Sequence, residues 1–320
     1  SISVDDGPAT ASEGAALNAL NPAISFNVTD KAENVAAEVS GDGKSGTELN
    51  EAGIVQAING FTAEVDFAVS ADEAEAIQNI SGYDASGSSY EIEDTAAELI
   101  SAQDTVLNDP GVRHVEVISG VNGGDEVTAV DGAVLTSFSA DIDFDVMDTA
   151  QAIAAEVTGA GNFSTDLDDA GRIFVTGGTV NVSDADAIQA ISGYNEGVQQ
   201  GGVSYQISDS VSNLTGSSDS TLTNGNINVT ATGAANASDG AILNAFTANI
   251  DFDVADTATN LAAEVDPYMG LSGRLDDAAS IEVISGSAVD VDDAVSIQAI
   301  SGYTGAGDLD IQDDAADLIS

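Results

Sequence analysis

Apolar residues recur along the chain with two different periods, one suited to a strand and one to a helix. Ile24-Ser25-Phe26-Asn27-Val28 switches between apolar and polar at each step, as a half-buried strand does. In Asn34-Val35-Ala36-Ala37-Glu38-Val39 the apolar residues return at helical spacing. Asp30 stands between the two, with Glu33 three residues on, and Asp148 has Gln151 at the same distance, the spacing of a capping box. A second helix is expected from near Asp72 to Ile80, stopping at Gly82 in the left-handed position that follows many helices, with Tyr83 packed back over it. A third starts at Asp94 and covers Thr95–Ser101. The predicted order is β-β-α-β-α-β-α, with helices of about two to three turns that are marginal alone and must pack an Ala/Leu/Ile face on a sheet. The expected fold class is α/β with some parallel pairing; a mixed sheet of the α+β kind is the alternative.

The same wording occurs three times. Phe26-Asn27-Val28-Thr29-Asp30 returns as Phe144-Asp145-Val146-Met147-Asp148 and as Phe252-Asp253-Val254-Ala255-Asp256. Nineteen residues after each of these aspartates stand Leu49, Leu167 and Leu275. Ile77-Gln78-Asn79-Ile80-Ser81-Gly82-Tyr83 has its equivalents at 188–194 and 297–303. The openings match as well: Glu13-Gly14-Ala15, Asp131-Gly132-Ala133 and Asp239-Gly240-Ala241. Self-similarity at a fixed period marks a repeat architecture. The expected modules are 1–105, 106–222 and 223–320, joined through the polar segments Ser101–Asp109 and Thr215–Gly225. These connections are short, so neighbouring modules are expected to touch.

Charge narrows the function. The 320 residues hold 5 Lys plus Arg against 55 Asp plus Glu, a net charge of −50, with no Cys, no Trp and one His. Such a surface repels phosphate, which argues against nucleic acid and against an anionic membrane. No apolar run approaches the roughly 20 residues of a membrane span. Disulfide frameworks and thiolate zinc sites need cysteine. Carboxylate-rich surfaces stay soluble where salt screens their self-repulsion within about 10 Å, which fits an extracellular, saline setting. The chain begins at Ser1 without a signal peptide, so a removed targeting segment or a longer parent chain is expected.

Few residues offer chemistry. Asp30, Asp94, Asp148, Asp209, Asp256 and Asp313 each precede a predicted helix, where a carboxylate caps backbone N–H groups. His114 lies alone in the strand-like Val112–Val117, and no Gly-x-Ser-x-Gly turn supplies a triad partner. Paired acids among 55 discriminate nothing for glycosidase chemistry, and aromatics make up only 5 % of the chain. An active site in three near-equal copies would be unusual, so the chain is read as non-enzymatic. Calcium, which takes six to eight oxygen ligands, is the one cofactor expectation. Its candidates are Asp42, Asp125 with Glu126, Asp168 with Asp169, and Asp276 with Asp277, set in loops such as Gly41-Asp42-Gly43 and Asn122-Gly123-Gly124-Asp125-Glu126. The other reading of these loops is a solvated acidic surface, with Arg172 and Arg274 near enough to pair with the acids.

The short unit, as in Tyr90-x-Ile92-x-Asp94-Thr95-Ala96-Ala97 and Phe252-x-Val254-x-Asp256-Thr257-Ala258, resembles the repeats of very large bacterial surface proteins. These are the adhesin and surface-layer types of marine cyanobacteria and proteobacteria. The resemblance covers most of each module. It implies secretion, a tandem modular architecture and a structural or adhesive role. The calcium nonapeptides that often accompany such proteins are missing here. Two functions are therefore expected. The first is a structural subunit whose copies join head to tail into an extracellular filament or surface layer, with Ile2-Ser3-Val4 adding to a neighbour's sheet edge. The second is an adhesin segment that binds polysaccharide through inserts such as Asn59–Phe67 and Asn195–Gly202.

Overall fold

The protein is represented by a computed structural model that describes residues 2–3, 7–20, 24–40, 48–50, 52–58, 68–118, 124–159, 167–194, 205–223, 227–265, 274–284, 288–305, 309–314 and 317. Strands alternate with short helices, and every strand pairing among the described residues is parallel. The fold class is α/β; the mixed-sheet alternative finds no antiparallel ladder among these pairings. Parallel strands need a crossover between them, and here each crossover carries at least one short helix.

The helices form for the reason their period suggests. In Ala32–Val39 the buried residues are Ala32, Val35, Ala36 and Val39, one stripe at helical spacing. Ala258–Val265 repeats the stripe with Ala258, Leu261, Ala262 and Val265. N-caps come from Ser70, Thr95, Thr128, Thr149, Asn181, Ser210, Asn236 and Asp290, each accepting the N–H three residues on. Ser70 and Glu73 complete a capping box.

Two compact units divide the chain: Ser1–Asp148 with Gly159–Phe174 and Ile191–Gly193, and Thr149–Thr158 with Val175–Ala190 and Tyr194–Ser320. The dividing line runs through the second repeat, so these units and the three repeats partition the chain differently. In the first unit, Ala68–Val69, Tyr90–Asp94, Val112–Val117 and Ile142–Asp143 form a four-stranded sheet in chain order. Glu126–Val127 pairs with Asp145–Asp148, and Val28–Lys31 pairs with Val55–Ile58. In the second unit, Thr179–Val180, Gln206–Ser210, Asn228–Thr232 and Ile250–Asp251 form the matching four-stranded sheet, and Asp253–Asp256 pairs with Ser280–Val283. Each strand thus lies beside the strand one turn of chain earlier, the stacking habit of repeat proteins.

Four expectations need correction. The run Ile24–Val28 is not one strand: Ile24–Ser25 and Val28–Lys31 belong to different sheets. The break falls at Phe26, whose carbonyl is taken by the Gly53 N–H at 2.7 Å, and Phe144 and Phe252 receive Gly171 and Ala279 in the same way. Each repeat also opens with a helix that the pattern did not announce: Ala11–Leu20, Ala129–Thr136 and Ala237–Ala245. Gly14, Gly132 and Gly240 sit inside them, where glycine costs about 1 kcal/mol against alanine. A Cβ there would meet a Val Cγ2 at 2.6, 2.9 and 2.8 Å, so close packing on the sheet outweighs propensity. Gly82 is not in a left-handed conformation; a Cβ at Gly82 or Gly193 would stand 2.7 Å from the carbonyl oxygen of Ala52 or Ala170. Finally, the segments read as linkers contain the helices Asp104–Leu107 and Asp219–Thr223, with Val106, Leu107 and Leu222 buried.

Candidate functional site

The repeated strand-end aspartates do bind helix N–H groups, but not those of the helix each precedes. Asp30 Oδ2 accepts the N–H of Ala11 at 2.9 Å, 19 residues earlier. Asp94 takes Ala71, Asp148 takes Ala129, Asp209 takes Val182, Asp256 takes Ala237 and Asp313 takes Val291, all at 2.9–3.1 Å. In each case the donor is the first residue of the preceding helix. The second oxygen accepts the following residue's N–H: Lys31, Thr95, Ser210, Thr257 or Asp314 at 2.7–2.8 Å. Asn34, Asn213 and Asn260 add a side-chain amide at 2.8 Å. Each carboxylate therefore staples one turn of chain to the next while neutralising the positive end of a helix. Burial opposes ionisation at Asp256 and Asp209, yet the N–H groups of Ala237 and Thr257, or of Val182 and Ser210, with the asparagine amides, hold both carboxyls below the usual 3.8.

A second constellation joins one repeat to the next, and it occurs twice. After Tyr90–Asp94 the chain forms Ala96–Ser101, which packs on the opening helix Ala129–Thr136; after Gln206–Ser210 it forms Val211–Thr215, which packs on Ala237–Ala245. Asp104 then clasps Ser139, accepting its N–H at 2.8 Å and its hydroxyl at 2.5 Å. Asp219 clasps Thr247 in the same way, at 2.9 and 2.7 Å. The Ser139 hydroxyl and N–H hold the Asp104 carboxyl below its ordinary value. Gln78 donates to the Tyr90 hydroxyl at 2.9 Å and to the Val106 carbonyl at 3.0 Å; Gln189 does likewise to Tyr205 and Thr221. The clasps were not foreseen in the sequence. Their signal was a pair of aspartates following the closing helix in two repeats.

The residues expected to hold calcium are dispersed. Asp168 is exposed, and its Oδ1 accepts the Ser192 N–H at 2.9 Å, which anchors a loop. Asp169 borders a shallow hollow with Phe138, Asp141 and Phe144. Asp277 borders another with Thr230, Asn249 and Asp251, and its N–H donates to Asn244 Oδ1 at 2.9 Å. Asp276 is exposed. Asp42 and Val4 lie outside the described residues, as do the inserts at 59–67 and 195–202. Among the described residues, Arg172 and Arg274 pair with other acids. Arg172 Nε donates to Asp145 Oδ2 at 2.8 Å with its Cζ 5.2 Å from the centre of the Phe174 ring, and Arg274 pairs with Glu264. Asp145, with Asp125 and buried Glu126 nearby, holds the Arg172 pKa above its usual value. Asp125 and Glu126 thus share their surroundings with a resident cation.

One further acidic group is brought together: Asp313, Asp314 and Asp317, with carboxylate oxygens within 4.8 Å of one another. Its members are already engaged, since Asp313 tops Val291 and Asp314 accepts the Asp317 N–H at 3.2 Å. His114 is half-buried on its strand, with Nε2 3.5 Å from Asp143 and 3.7 Å from Glu116. No helix among the described residues is long and apolar enough to cross a membrane. Compared with protein-family models, curated proteins and solved structures, the chain matches none.

Proposed function

We propose that the chain is a non-enzymatic structural subunit of an extracellular filament or surface layer, built by end-to-end packing of its repeats. The observation that carries this reading is the recurrence of one joining device at both repeat boundaries: parallel strands, a closing helix on an opening helix, and an aspartate clasp. A polymer needs such a device, one that works again wherever the same surfaces meet, because a heterologous contact that does not close propagates. The polar hollows beside Asp169 and Asp277 are shallow, and the strand-end carboxylates are spent on backbone N–H groups, so the chain's regular features serve its own stacking.

A net charge of −50 opposes contact between copies, so cations belong to this reading as screening ions, with calcium the divalent one to examine. Negative-stain microscopy of the purified protein in high salt, with calcium and with chelator, tests the proposal. Fibres or sheets are expected, and their loss in chelator would assign calcium to the contacts. Dispersed particles under every condition would overturn the structural reading and direct attention to polysaccharide binding.

A further inference from the structure

Three helices end in the same four residues: Ala36-Ala37-Glu38-Val39, Ala154-Ala155-Glu156-Val157 and Ala262-Ala263-Glu264-Val265. The glutamate is the last residue but one in each, close to the negative end of the helix dipole, where an anion is opposed and a cation favoured. The three copies differ in depth. Glu38 and Glu264 are partly exposed, whereas Glu156 is 3 % exposed.

The third repeat answers its glutamate with a guanidinium, since Arg274 pairs with Glu264. Arg274 stands directly before Leu275 in the sequence, and the residue directly before the matching Leu167 is Asp166. The second repeat thus has an acid in the sequence position that holds a base in the third. Cations are scarce elsewhere in the chain. Of its five Lys and Arg, Lys31, Arg172 and Arg274 pair with Glu33, Asp145 and Glu264, and Arg113 is exposed on its strand.

The second observation concerns the carboxylate itself. Glu156 Oε2 is buried and has no hydrogen-bond partner among the described residues. Asp256, which is also buried, receives three donors. Withdrawing a carboxylate oxygen from water is costly unless a donor or a cation takes the place of the water, so buried carboxylates are paired or coordinate a metal.

We propose that Glu156 binds a divalent metal cation, calcium, which does for the second repeat what the Arg274 guanidinium does for the third. The donor is a carboxylate oxygen. With no Cys in the chain, and its one His on the strand Val112–Val117, the ligand chemistry is that of a hard ion and not of a transition metal. Calcium fills its six to eight positions with water and main-chain carbonyls besides carboxylates, and the carbonyls at a helix end are those without an N–H partner inside the helix. The site belongs to a single chain, so it goes beyond the filament reading and does not depend on it.

Melting of the dispersed chain, at a dilution where light scattering detects no polymer, tests this in calcium chloride and in sodium chloride of equal ionic strength. The wild-type chain is expected to melt several degrees higher in calcium. Glu156→Gln should lose most of that gain while melting no lower than the wild type in sodium, because it removes a buried charge. Glu264→Gln is the contrast: it strands Arg274, so it should lower the melting temperature in both salts and keep the calcium gain. Calorimetric titration in molar sodium chloride, where the exposed acids are screened, should count one calcium fewer for Glu156→Gln than for the wild type. A calcium gain undiminished in Glu156→Gln, or an unchanged calcium count, would overturn the site. So would a wild-type chain without a calcium gain, a result that holds whether or not the variant folds. None of these outcomes bears on contacts between copies, which microscopy decides separately.

Discussion

Asp256 and Asp277 lie 21 positions apart in the same repeat, and the fold treats them in opposite ways. Asp256 is 8 % exposed and accepts hydrogen bonds from Ala237, Thr257 and Asn260. Asp277 lies on an exposed loop, where its main chain, not its carboxylate, makes the bond to Asn244. Both aspartates recur in another repeat, as Asp148 and Asp169. Recurrence alone therefore does not separate a carboxylate that holds turns together from one that only charges the surface. What separates them is whether unpaired N–H groups of a helix end lie within reach.

The comparison can be broken by removing each kind of acid in turn. Asp256→Ala leaves the N–H groups of Ala237 and Thr257 without their acceptor in a buried place, and should cost about 2 kcal/mol, read from the urea midpoint. A loss as small as that of a surface substitution would show that the staple is incidental.

Acid sharpens the contrast next. The folded-state carboxyls of Asp209 and Asp256 lie below 3.8, so their contribution is complete above that value and falls away as pH drops through the lower folded one. Exposed acids do the reverse: protonating them lessens the mutual repulsion of a −50 chain. Thermal stability should therefore hold or rise from pH 7 towards pH 4 in low salt, then collapse below about 3.8. A monotonic fall from pH 7 would contradict the division.

The clasps fall between these extremes. Asp104→Ala and Asp219→Ala each remove a two-bond contact at a solvent-facing repeat boundary, and should lower the melting temperature less than Asp256→Ala does. Amide exchange should quicken at Ser139 and Thr247, whose N–H groups they hold. The smallest effect belongs to the loops: Asp169→Asn and Asp277→Asn should move stability by no more than about 0.5 kcal/mol. A larger loss, appearing only when calcium is present, would establish those hollows as cation sites after all.

Much of the local structure was legible because it depends on neighbours in sequence. The stripe Val35-Ala36-Val39 is complete within about one turn of helix, and although the cap is Thr95 and not its neighbour Asp94, the expected helix start lies within two residues of the observed one. The opening helices escaped because Gly14, Gly132 and Gly240 argue against helix locally, while the valines that require them are 14 residues away. The candidate site was hidden for a similar reason. Arg172 lies four residues from Asp168, yet pairs with Asp145, which a parallel strand brings beside it. The split at Phe26 likewise depends on Gly53, a residue of the next turn.

By itself the sequence determined the three-fold repetition, the alternation of strands and short helices and the acidic surface. The alternation follows from spacings under about ten residues, the charge from composition, and the repetition from matching wording around Asp30, Asp148 and Asp256. Only the tertiary structure decided which helix each aspartate tops and where one strand becomes two. Those outcomes depend on N–H groups and acceptor oxygens 19 to 35 residues apart, whose meeting is settled by the register of parallel strands and not by the residues' order in the chain.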